Sequence, residues 1–324
     1  MERIQRKSYK KKKLRKRIFW FVIFPILLIA GLSVGYGTHL LKKAANVVND
    51  SYDENIGKSD LREKKVDPKV DNFSILFIGI DDSESRKYGE DGANSRSDAL
   101  MVATLNDKDK SVKLVSIPRD TYVYIDDVGY KTRINHAHAY GGPKSTIKAV
   151  ENLLEIPIDY YVRMDFYAFM DVVDALGGIE LDVPYAISEK NADDLNHAIN
   201  LQPGLQELNG EEALAFARTR KKDNDIERGK RQQEIMKALL KKSASASSVL
   251  KYGKVIDAFG SHMKTNMTFD EMTSLVDYGI SRSFDVETLT VAGSDTYINK
   301  AYYWLLDENA LEELKAKLKA HIGI

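Results

Sequence analysis

The sequence predicts an α/β fold, a three-layer α/β/α sandwich around a central mixed sheet, preceded by a single N-terminal transmembrane helix. Three observations predict it. An uncharged segment of 24 residues lies near the N-terminus, apolar runs of strand length alternate with helical patterns after residue 72, and no later linker divides the chain. Strands that alternate with helices favour one sheet with helices on both faces.

The first 41 residues carry the pattern of a membrane anchor. Residues 1–17 hold ten Lys or Arg and one acid, Glu2, and residues 18–41 hold no charged side chain. A helix of that length would reach about 36 Å, enough to cross a hydrocarbon core of about 30 Å. We expect the basic tail to stay in the cytoplasm, which makes a single-pass type II cell-membrane protein with an extracellular domain. The alternatives are a cleaved leader and a basic arm that binds nucleic acid.

The formal net charge of zero conceals an uneven distribution of charge. The basic tail carries +9, so residues 42–324, with 38 cations and 47 anions, carry −9. An acidic domain has no general affinity for DNA, so any anion site on it must be a local concentration of arginines. The chain has no cysteine, which excludes thiol catalysis and cysteine-ligated metals.

The remaining chain divides into a linker and one folded domain. Residues 42–71 are rich in charged and poor in large apolar side chains, which predicts a short helical or extended stalk. The domain comprises residues 72–324, and its first strand, 73–80, is an apolar run that ends at Asp81 and Asp82. Further strands are predicted at 99–106, 111–117, 160–165, 179–183 and 287–293. Helices are predicted at 145–155, 166–176, 210–217, 226–247, 249–259, 268–281 and 304–320.

Acids and an arginine follow the predicted strands at one edge of the sheet. Asp81 and Asp82 end the first strand, and Asp98 precedes the second. Ligands gather at the carboxyl ends of strands in such sheets, and carboxylates there suit a hard cation such as Mg²⁺. Arg119 follows a proline after the third strand, where Asp120 could orient it. The alternatives are loop and cap roles for the acids and a surface Arg–Asp pair in a turn.

The densest cationic segment is 218–231, which holds seven cations and three anions. If its first three residues are extended, Arg218 and Arg220 project to one side. Arg228 and Gln232 lie four residues apart and share a helix face. The planar guanidinium fork matches phosphate oxygens in a way that lysine does not. The spacing therefore favours a phosphate site over a solvated, charged helix start.

These segments together resemble the LytR-CpsA-Psr family of cell-wall glycopolymer transferases. The resemblance extends from about residue 73 to about residue 240, and the chain is similar to members with one extracytoplasmic domain. Seven motifs in order carry it: G-x-D (79–81), R-S-D (96–98), S-I-P-R-D (116–120), K-x-R-I-N-H-A (131–137), D-x-L-G-G-I-E-L-D-V (174–183), L-x-G-x-x-A-L-x-F-A-R-T-R (208–220) and D-x-x-R-G-x-R-Q (225–232).

The resemblance implies a phosphotransferase that moves wall teichoic acid or a related polymer from a polyprenyl-pyrophosphate carrier to a peptidoglycan hydroxyl. It implies that Asp98 and the acid at Asp81 or Asp82 hold Mg²⁺, with Mn²⁺ as the alternative, and that Asp225 activates the acceptor hydroxyl. It also implies a set of residues that bind the pyrophosphate: Arg119, Arg133, Arg218, Arg220, Arg228 and Gln232. A hydrolase that uses the same site and a membrane-anchored regulatory or binding protein remain open alternatives.

Two other groups of residues suggest structural roles. His136 and His138 are expected to serve packing and turn hydrogen bonds, although histidines are also metal ligands. The aromatic run Tyr302, Tyr303 and Trp304 is expected to pack at the start of the last helix, against the alternative of a sugar-binding platform.

Overall fold

The computed structural model describes residues 24–81, 95–192, 195–220, 225–243, 252–259, 263–281 and 285–324. The chain forms two compact units, Met1–Asn46 and Val47–Ile324. Helix α1 comprises Phe24–Ser51. Among the described residues, no helix is both long enough and apolar enough to cross a membrane. The basic tail and residues 18–23 of the expected anchor lie outside the described ranges.

Within the described ranges, the second unit contains a central sheet of six strands. Strand β1 (Phe73–Ile80) pairs antiparallel with β2 (Ser97–Asn106) and parallel with β6 (Tyr160–Asp165), so the sheet is mixed as predicted. The strands in spatial order are β11 (Met263–Thr265), β6 (Tyr160–Asp165), β1 (Phe73–Ile80), β2 (Ser97–Asn106), β3 (Ser111–Ser116) and β12 (Asp285–Thr290).

Both faces of this sheet are buried, as the apolar run of β1 predicts. Phe73 and Ile75 face one core and Leu76 and Ile78 face the other, because side chains alternate along a strand. Helices α2 (His136–Leu154) and α8 (Glu308–Ile322) contribute Leu154 and Leu318 to the core around Leu76. Helices α5 (Asp225–Ser243) and α7 (Phe269–Ser281) contribute Met236 and Met272 to the core around Phe73. The mixed α/β domain is thus confirmed.

A third core lies beside the sheet and is closed by short elements. Helix α3 (Phe166–Leu176) begins where Asp165 accepts a hydrogen bond from the amide of Ala168 at 2.8 Å. Helix α4 (Gly210–Arg218) begins with a capping box between Asn209 and Glu212. The described elements of this region also include α6 (Tyr252–Phe259), β7 (Ile179–Val183), β8 (Ile187–Glu189), β9 (Ile199–Leu201) and β10 (Gly204–Leu208). Strand β7 was predicted, but it pairs with β10 and not with the central sheet.

Two further hairpins flank the edge of the sheet where β1 and β3 end. They are β4 (Tyr122–Ile125) with β5 (Tyr130–Arg133), and β13 (Gly293–Ile298) with β14 (Ala301–Leu306). The prediction of a helix from residue 304 is wrong at its start, because α8 begins at Glu308 after the N-cap Asp307. Asn299 and Lys300 have φ values of 52° and 66°, and two such residues form the tight turn that joins paired strands.

The expected stalk is largely part of the folded unit, which begins at Val47 and not at residue 72. The amide of Asp53 donates to the carbonyl of Thr265 at 2.8 Å. Arg62 donates to both carboxylate oxygens of the buried Asp159, at 2.9 and 2.8 Å. A bidentate pair of this kind has a defined geometry, so the polar composition that predicted a stalk instead serves specific tertiary contacts.

Candidate active site

The carboxyl end of β1 and the start of β2 place two predicted acids at one sheet edge. Gly79 pairs with Ala99 and Ile80 pairs with Ser97, with an irregularity in the register between these pairs. Asp81 follows β1, and Asp98 is the second residue of β2. Asp82 lies outside the described residues, so its predicted metal role has no structural counterpart here.

Arg119 lies at the same edge because β3 runs antiparallel to β2 and ends at Ser116. Its Nη1 donates to Oδ1 of Asp98. Its Nε lies 3.6 Å from Oδ2 of Asp120 and 3.9 Å from Oδ2 of Asp225. Arg119 therefore connects the start of β2 with the start of helix α5, although the three acids are far apart in sequence.

Helix α5 brings Asp225 and Arg228 to this edge. Oδ1 of Asp225 lies 3.4 Å from Nη1 of Arg228 and 3.5 Å from Nη1 of Arg220. Gly229 permits the close approach of the helix, since a Cβ at this position would clash with the side chain of Ser116 at the end of β3. Sequence reasoning did not identify Gly229, although it directly follows the arginine in the D-x-x-R-G-x-R-Q motif.

Several buried polar atoms of this cluster lack hydrogen-bond partners among the described residues. They are Nε of Arg119, Nε of Arg228 and both carboxylate oxygens of Asp225. Leaving a buried donor or acceptor unsatisfied costs about 1–3 kcal/mol, and more for charged groups. Two guanidinium groups with unused donors beside a third, Arg220, can bind an anion with several oxygens.

Burial and charge oppose each other in this cluster. Burial lowers the pKa of Arg228 to about 10, and the positive charges of Arg119 and Arg220 act in the same direction against Asp225. The pKa of Arg119 is raised overall. Burial lowers it, but the negative charges of Asp98, Asp120 and Asp225 together have the larger, opposite effect. For Asp120, burial raises the pKa, with Arg119 acting against it. Arg119 and Arg228 remain charged at neutral pH, and a bound anion would stabilise that state.

Arg133 lies at the margin of the arginine cluster. Nε of Arg133 donates to the carbonyl of Tyr302 at 2.9 Å and lies 3.3 Å from Oδ1 of Asp120. The guanidinium carbon lies 5.3 Å from the ring centroid of Tyr303, within the range of a cation–π contact. Two hairpins, β4–β5 and β13–β14, therefore hold Arg133 beside Asp120.

Arg218 and Gln232 are placed differently from the expected convergence. Arg218 is the last residue of α4, so the extended segment assumed for it is wrong and it does not alternate with Arg220. Its Nη2 donates to the carbonyls of Lys190 and Asn191. Nε2 of Gln232 lies 3.4 Å from the carbonyl of Ala217. The contacts of both side chains therefore lead to neighbouring backbone rather than to Asp225.

Arg231, which carried no predicted role, is a structural residue. Its Nε donates to the carbonyl of Phe216 at 3.0 Å, and its Nη1 donates to the hydroxyl of Tyr185 at 3.1 Å. These bonds join α5 to the end of α4. A count of cations along the sequence could not distinguish this buried arginine from Arg228.

The two acids at the edge of the sheet, Asp81 and Asp98, match the small number of protein ligands that Mg²⁺ needs. Mg²⁺ keeps several waters and is bound by one or two carboxylates together with substrate phosphates. Asp81 follows β1 at this edge, and Asp98, at the start of β2, is bonded to Arg119 of the candidate anion site. Among the described residues, no three His, Asp or Glu side chains are grouped so that they alone could hold a metal ion. The donor set fits Mg²⁺ where a phosphate ligand completes it.

The fold and the unused guanidinium donors define an α/β protein with a candidate anion site at the edge of its mixed sheet. Residues 39–320 match the LytR_cpsA_psr family, and the chain belongs to this family. It is 40% identical to the polyisoprenyl-teichoic acid–peptidoglycan teichoic acid transferase TagV of Bacillus subtilis, over 96% of this chain and 80% of TagV. It is 39% identical to the transferase TagT of the same organism, over 99% of this chain and all of TagT.

Solved structures agree with this relationship. TagT bound to LIIa-WTA has a TM-score of 0.72 and 38% identity, over 84% of this chain and 99% of TagT. TagT with bound octaprenyl pyrophosphate lipid has a TM-score of 0.68 and 35% identity, over 84% of this chain and 99% of TagT.

Proposed function

We propose that this chain is a polyisoprenyl-teichoic acid–peptidoglycan teichoic acid transferase. It moves wall teichoic acid or a related anionic polymer from a polyprenyl-pyrophosphate carrier to a sugar hydroxyl of peptidoglycan. The single observation that carries the proposal is the arginine cluster in which the buried Nε atoms of Arg119 and Arg228 have no hydrogen-bond partner among the described residues. The names of its relatives TagT and TagV, and the lipid pyrophosphate bound in TagT, support the same ligand class.

Arg119, Arg220 and Arg228 bind the pyrophosphate of the donor and neutralise its charge. The bound donor is proposed to contact three further side chains, Arg133, Arg218 and Gln232. In the structure these side chains contact backbone carbonyls. Phosphoryl transfer depends chiefly on positioning and charge stabilisation, and it needs no protein nucleophile. An edge with three guanidinium groups around one carboxylate meets that requirement.

Asp225 activates the acceptor. The hydroxyl oxygen attacks the phosphorus that carries the polymer, the bond to the bridging oxygen breaks, and polyprenyl phosphate leaves. Asp225 takes the hydroxyl proton, since its oxygens have no hydrogen-bond partner among the described residues and lie beside Arg220 and Arg228. General base catalysis of this kind contributes roughly 10²–10⁴-fold.

Asp81 and Asp98 would hold Mg²⁺, or Mn²⁺ in its place. The ion would supply positive charge to phosphate oxygens of the donor. Arg119, which donates to Asp98, positions that carboxylate relative to the cluster. This metal role rests on the chemistry of the two carboxylates and on their place at the sheet edge.

The proposed topology places the folded unit outside the cell. The uncharged run 18–41 anchors the chain in the cell membrane, and the tail with ten cations remains in the cytoplasm. The anchor keeps the site near a lipid carrier in the outer leaflet, which raises its effective concentration. Protease added to intact protoplasts would remove the folded unit, and cleavage only after lysis would overturn this orientation.

The experiment for the activity uses the full chain in lipid vesicles, with a polyprenyl-pyrophosphate donor whose polymer is radiolabelled. We expect the label to appear on purified peptidoglycan and polyprenyl phosphate to accumulate in equal amount. Release of free labelled polymer without incorporation would identify a hydrolase instead. Binding of the donor with no turnover would leave only a binding protein.

A further inference from the structure

The hairpin β13–β14 presents two tyrosines on one face. Tyr297 and Tyr302 are directly opposite in the register. Their ring centroids lie 5.7 Å apart at an interplanar angle of 68°, which is a favourable edge-to-face arrangement. Tyr297 is 72% exposed. A large aromatic ring with this exposure is available for a binding partner.

The backbone of this hairpin is bonded directly to the candidate active site. The amide of Trp304 donates to the carbonyl of Asp120 at 2.9 Å, and Nε of Arg133 donates to the carbonyl of Tyr302 at 2.9 Å. On the opposite face of β14, the ring of Tyr303 lies 4.9 Å from the ring of Tyr122 and contacts the guanidinium of Arg133. The hairpin is therefore held rigidly beside Asp120.

The hydroxyl of Tyr302 is held by an acid of the same hairpin. It donates to Oδ1 of Asp295 at 2.8 Å. Burial and Asp295 raise the pKa of Tyr302, and the charges of Asp225 and Asp120 raise it further. Arg133, which is bonded to the carbonyl of Tyr302, also lies 3.3 Å from Oδ1 of Asp120. Nε of Arg119 lies between Asp120, at 3.6 Å, and Asp225, at 3.9 Å. Two arginines therefore connect the tyrosine hairpin with the proposed base, Asp225.

We propose that Tyr297 and Tyr302 form the binding surface for the acceptor glycan strand of peptidoglycan, an inference that rests on the proposed transferase function. Tyrosine offers a rigid, flat apolar face with a polar hydroxyl at low entropic cost, which suits the mixed apolar and polar faces of a sugar ring. The phosphate-rich polymer of the donor is a poor occupant, since Asp295 is hydrogen-bonded to Tyr302 and repels anions. An acceptor on this face would present a hydroxyl towards Asp225.

The experiment measures transfer by the full chain in vesicles while the concentration of soluble, uncrosslinked peptidoglycan strands is varied. Loss of one aromatic contact predicts an increase of roughly 3–10-fold in the acceptor KM for Tyr297→Ala, with the donor KM unchanged. Tyr297→Phe keeps the ring and should stay close to the wild type. Tyr130→Ala is the matched control, because Tyr130 is also exposed, at 56%, but lies at the far end of the β4–β5 hairpin.

A second measurement separates this inference from the proposed function. Co-sedimentation of the full chain with purified peptidoglycan reports acceptor binding without turnover. If the wild type transfers no polymer but Tyr297→Ala binds peptidoglycan several-fold more weakly than the wild type, the transferase activity is refuted and the acceptor-binding surface is supported. An unchanged acceptor KM, or an increase in the donor KM instead, would overturn the surface while leaving the transferase in place.

Discussion

Nη1 of Arg228 lies 3.4 Å from Oδ1 of Asp225, three residues earlier on helix α5. Nε of this arginine and both oxygens of this aspartate nevertheless have no hydrogen-bond partner among the described residues. The side chains of Arg228 and Asp225 are 6% and 5% exposed, so water does little to satisfy them. A buried pair that is close but incompletely bonded is suited to receive a ligand.

Replacement of Arg228 tests the pyrophosphate contact. Each charge-assisted hydrogen bond contributes about 1.5–3 kcal/mol, so Arg228→Ala should weaken donor binding by tenfold or more. Arg228→Lys keeps the charge but loses the planar fork and should remain clearly impaired. The measurement is lipid-pyrophosphate binding by the full chain, with a thermal melt to verify folding.

The control for Arg228 is Lys230→Ala on the same helix. The side chain of Lys230 is 57% exposed and pairs with Glu227, and exposed pairs of this kind contribute little. Its loss should change donor affinity by less than about twofold. Equal losses for the two variants would indicate a diffuse basic surface rather than a defined site.

Asp225→Asn separates catalysis from binding. The amide cannot accept the proton of the hydroxyl, so kcat should fall by at least about 100-fold. Donor affinity should be retained or improved, since one negative charge next to the pyrophosphate is removed. Single-turnover transfer with saturating donor measures the first effect. A kcat within about threefold of the wild type would exclude Asp225 as the base.

Asp98→Asn tests the proposed metal role. The amide keeps the shape of the side chain but supplies no charge to Mg²⁺, so transfer should fall strongly while the fold persists. Excess chelator should abolish wild-type transfer, and added Mg²⁺ should restore it. Asp285→Asn, at an exposed position at the opposite end of the sheet, is the matched control. Full transfer in chelator would remove the metal from the mechanism.

Gly229→Ala tests how α5 is seated against the end of β3. The added Cβ would meet Oγ and Cβ of Ser116. Overpacking of this kind typically destabilises a protein by about 1–3 kcal/mol. The shift of the helix would also displace Asp225 and Arg228, so transfer should decline together with the urea midpoint. The double variant Gly229→Ala with Ser116→Gly should recover both, and its failure to do so would contradict the packing explanation.

The buried His138 predicts a loss of stability in acid. Burial and the positive charge of Arg163 lower its pKa from 6.5 to about 4. The unfolded chain therefore takes up a proton below pH 6.5, whereas the folded chain does not do so until about pH 4. The free energy of unfolding should fall by about 3 kcal/mol across that range, at about 1.36 kcal/mol per unit. His321, whose pKa burial also lowers to about 4, adds a separate loss.

Urea unfolding at pH 7.5 and pH 5.0 measures this effect. The difference in unfolding free energy between the two pH values should be smaller in His138→Asn than in the wild type, whatever the variant's absolute stability. An identical difference in both proteins would show that His138 does not titrate on unfolding.

Local patterns determined much of the fold, because they depend on a few neighbouring residues. Three elements have the predicted bounds: strand β1 (Phe73–Ile80), strand β6 (Tyr160–Asp165) and helix α3 (Phe166–Leu176). The motifs correctly indicated the family. The charge pattern of residues 1–41 still predicts an anchor, since it depends on composition alone.

The tertiary structure decided which arginines converge. Arg220 and Arg228 meet Asp225 and Arg119, whereas Arg218 bonds to the carbonyls of Lys190 and Asn191. Arg218, Arg220 and Arg228 all lie within the cationic segment 218–231, and their order along the chain does not distinguish their partners. Tyr302 likewise lies in a strand beside the site, because its hairpin is bonded to Asp120 and Arg133. The contacts of Arg119 with Asp225, of Arg133 with Tyr302 and of Trp304 with Asp120 each join residues more than a hundred positions apart, so no local period along the chain encodes them.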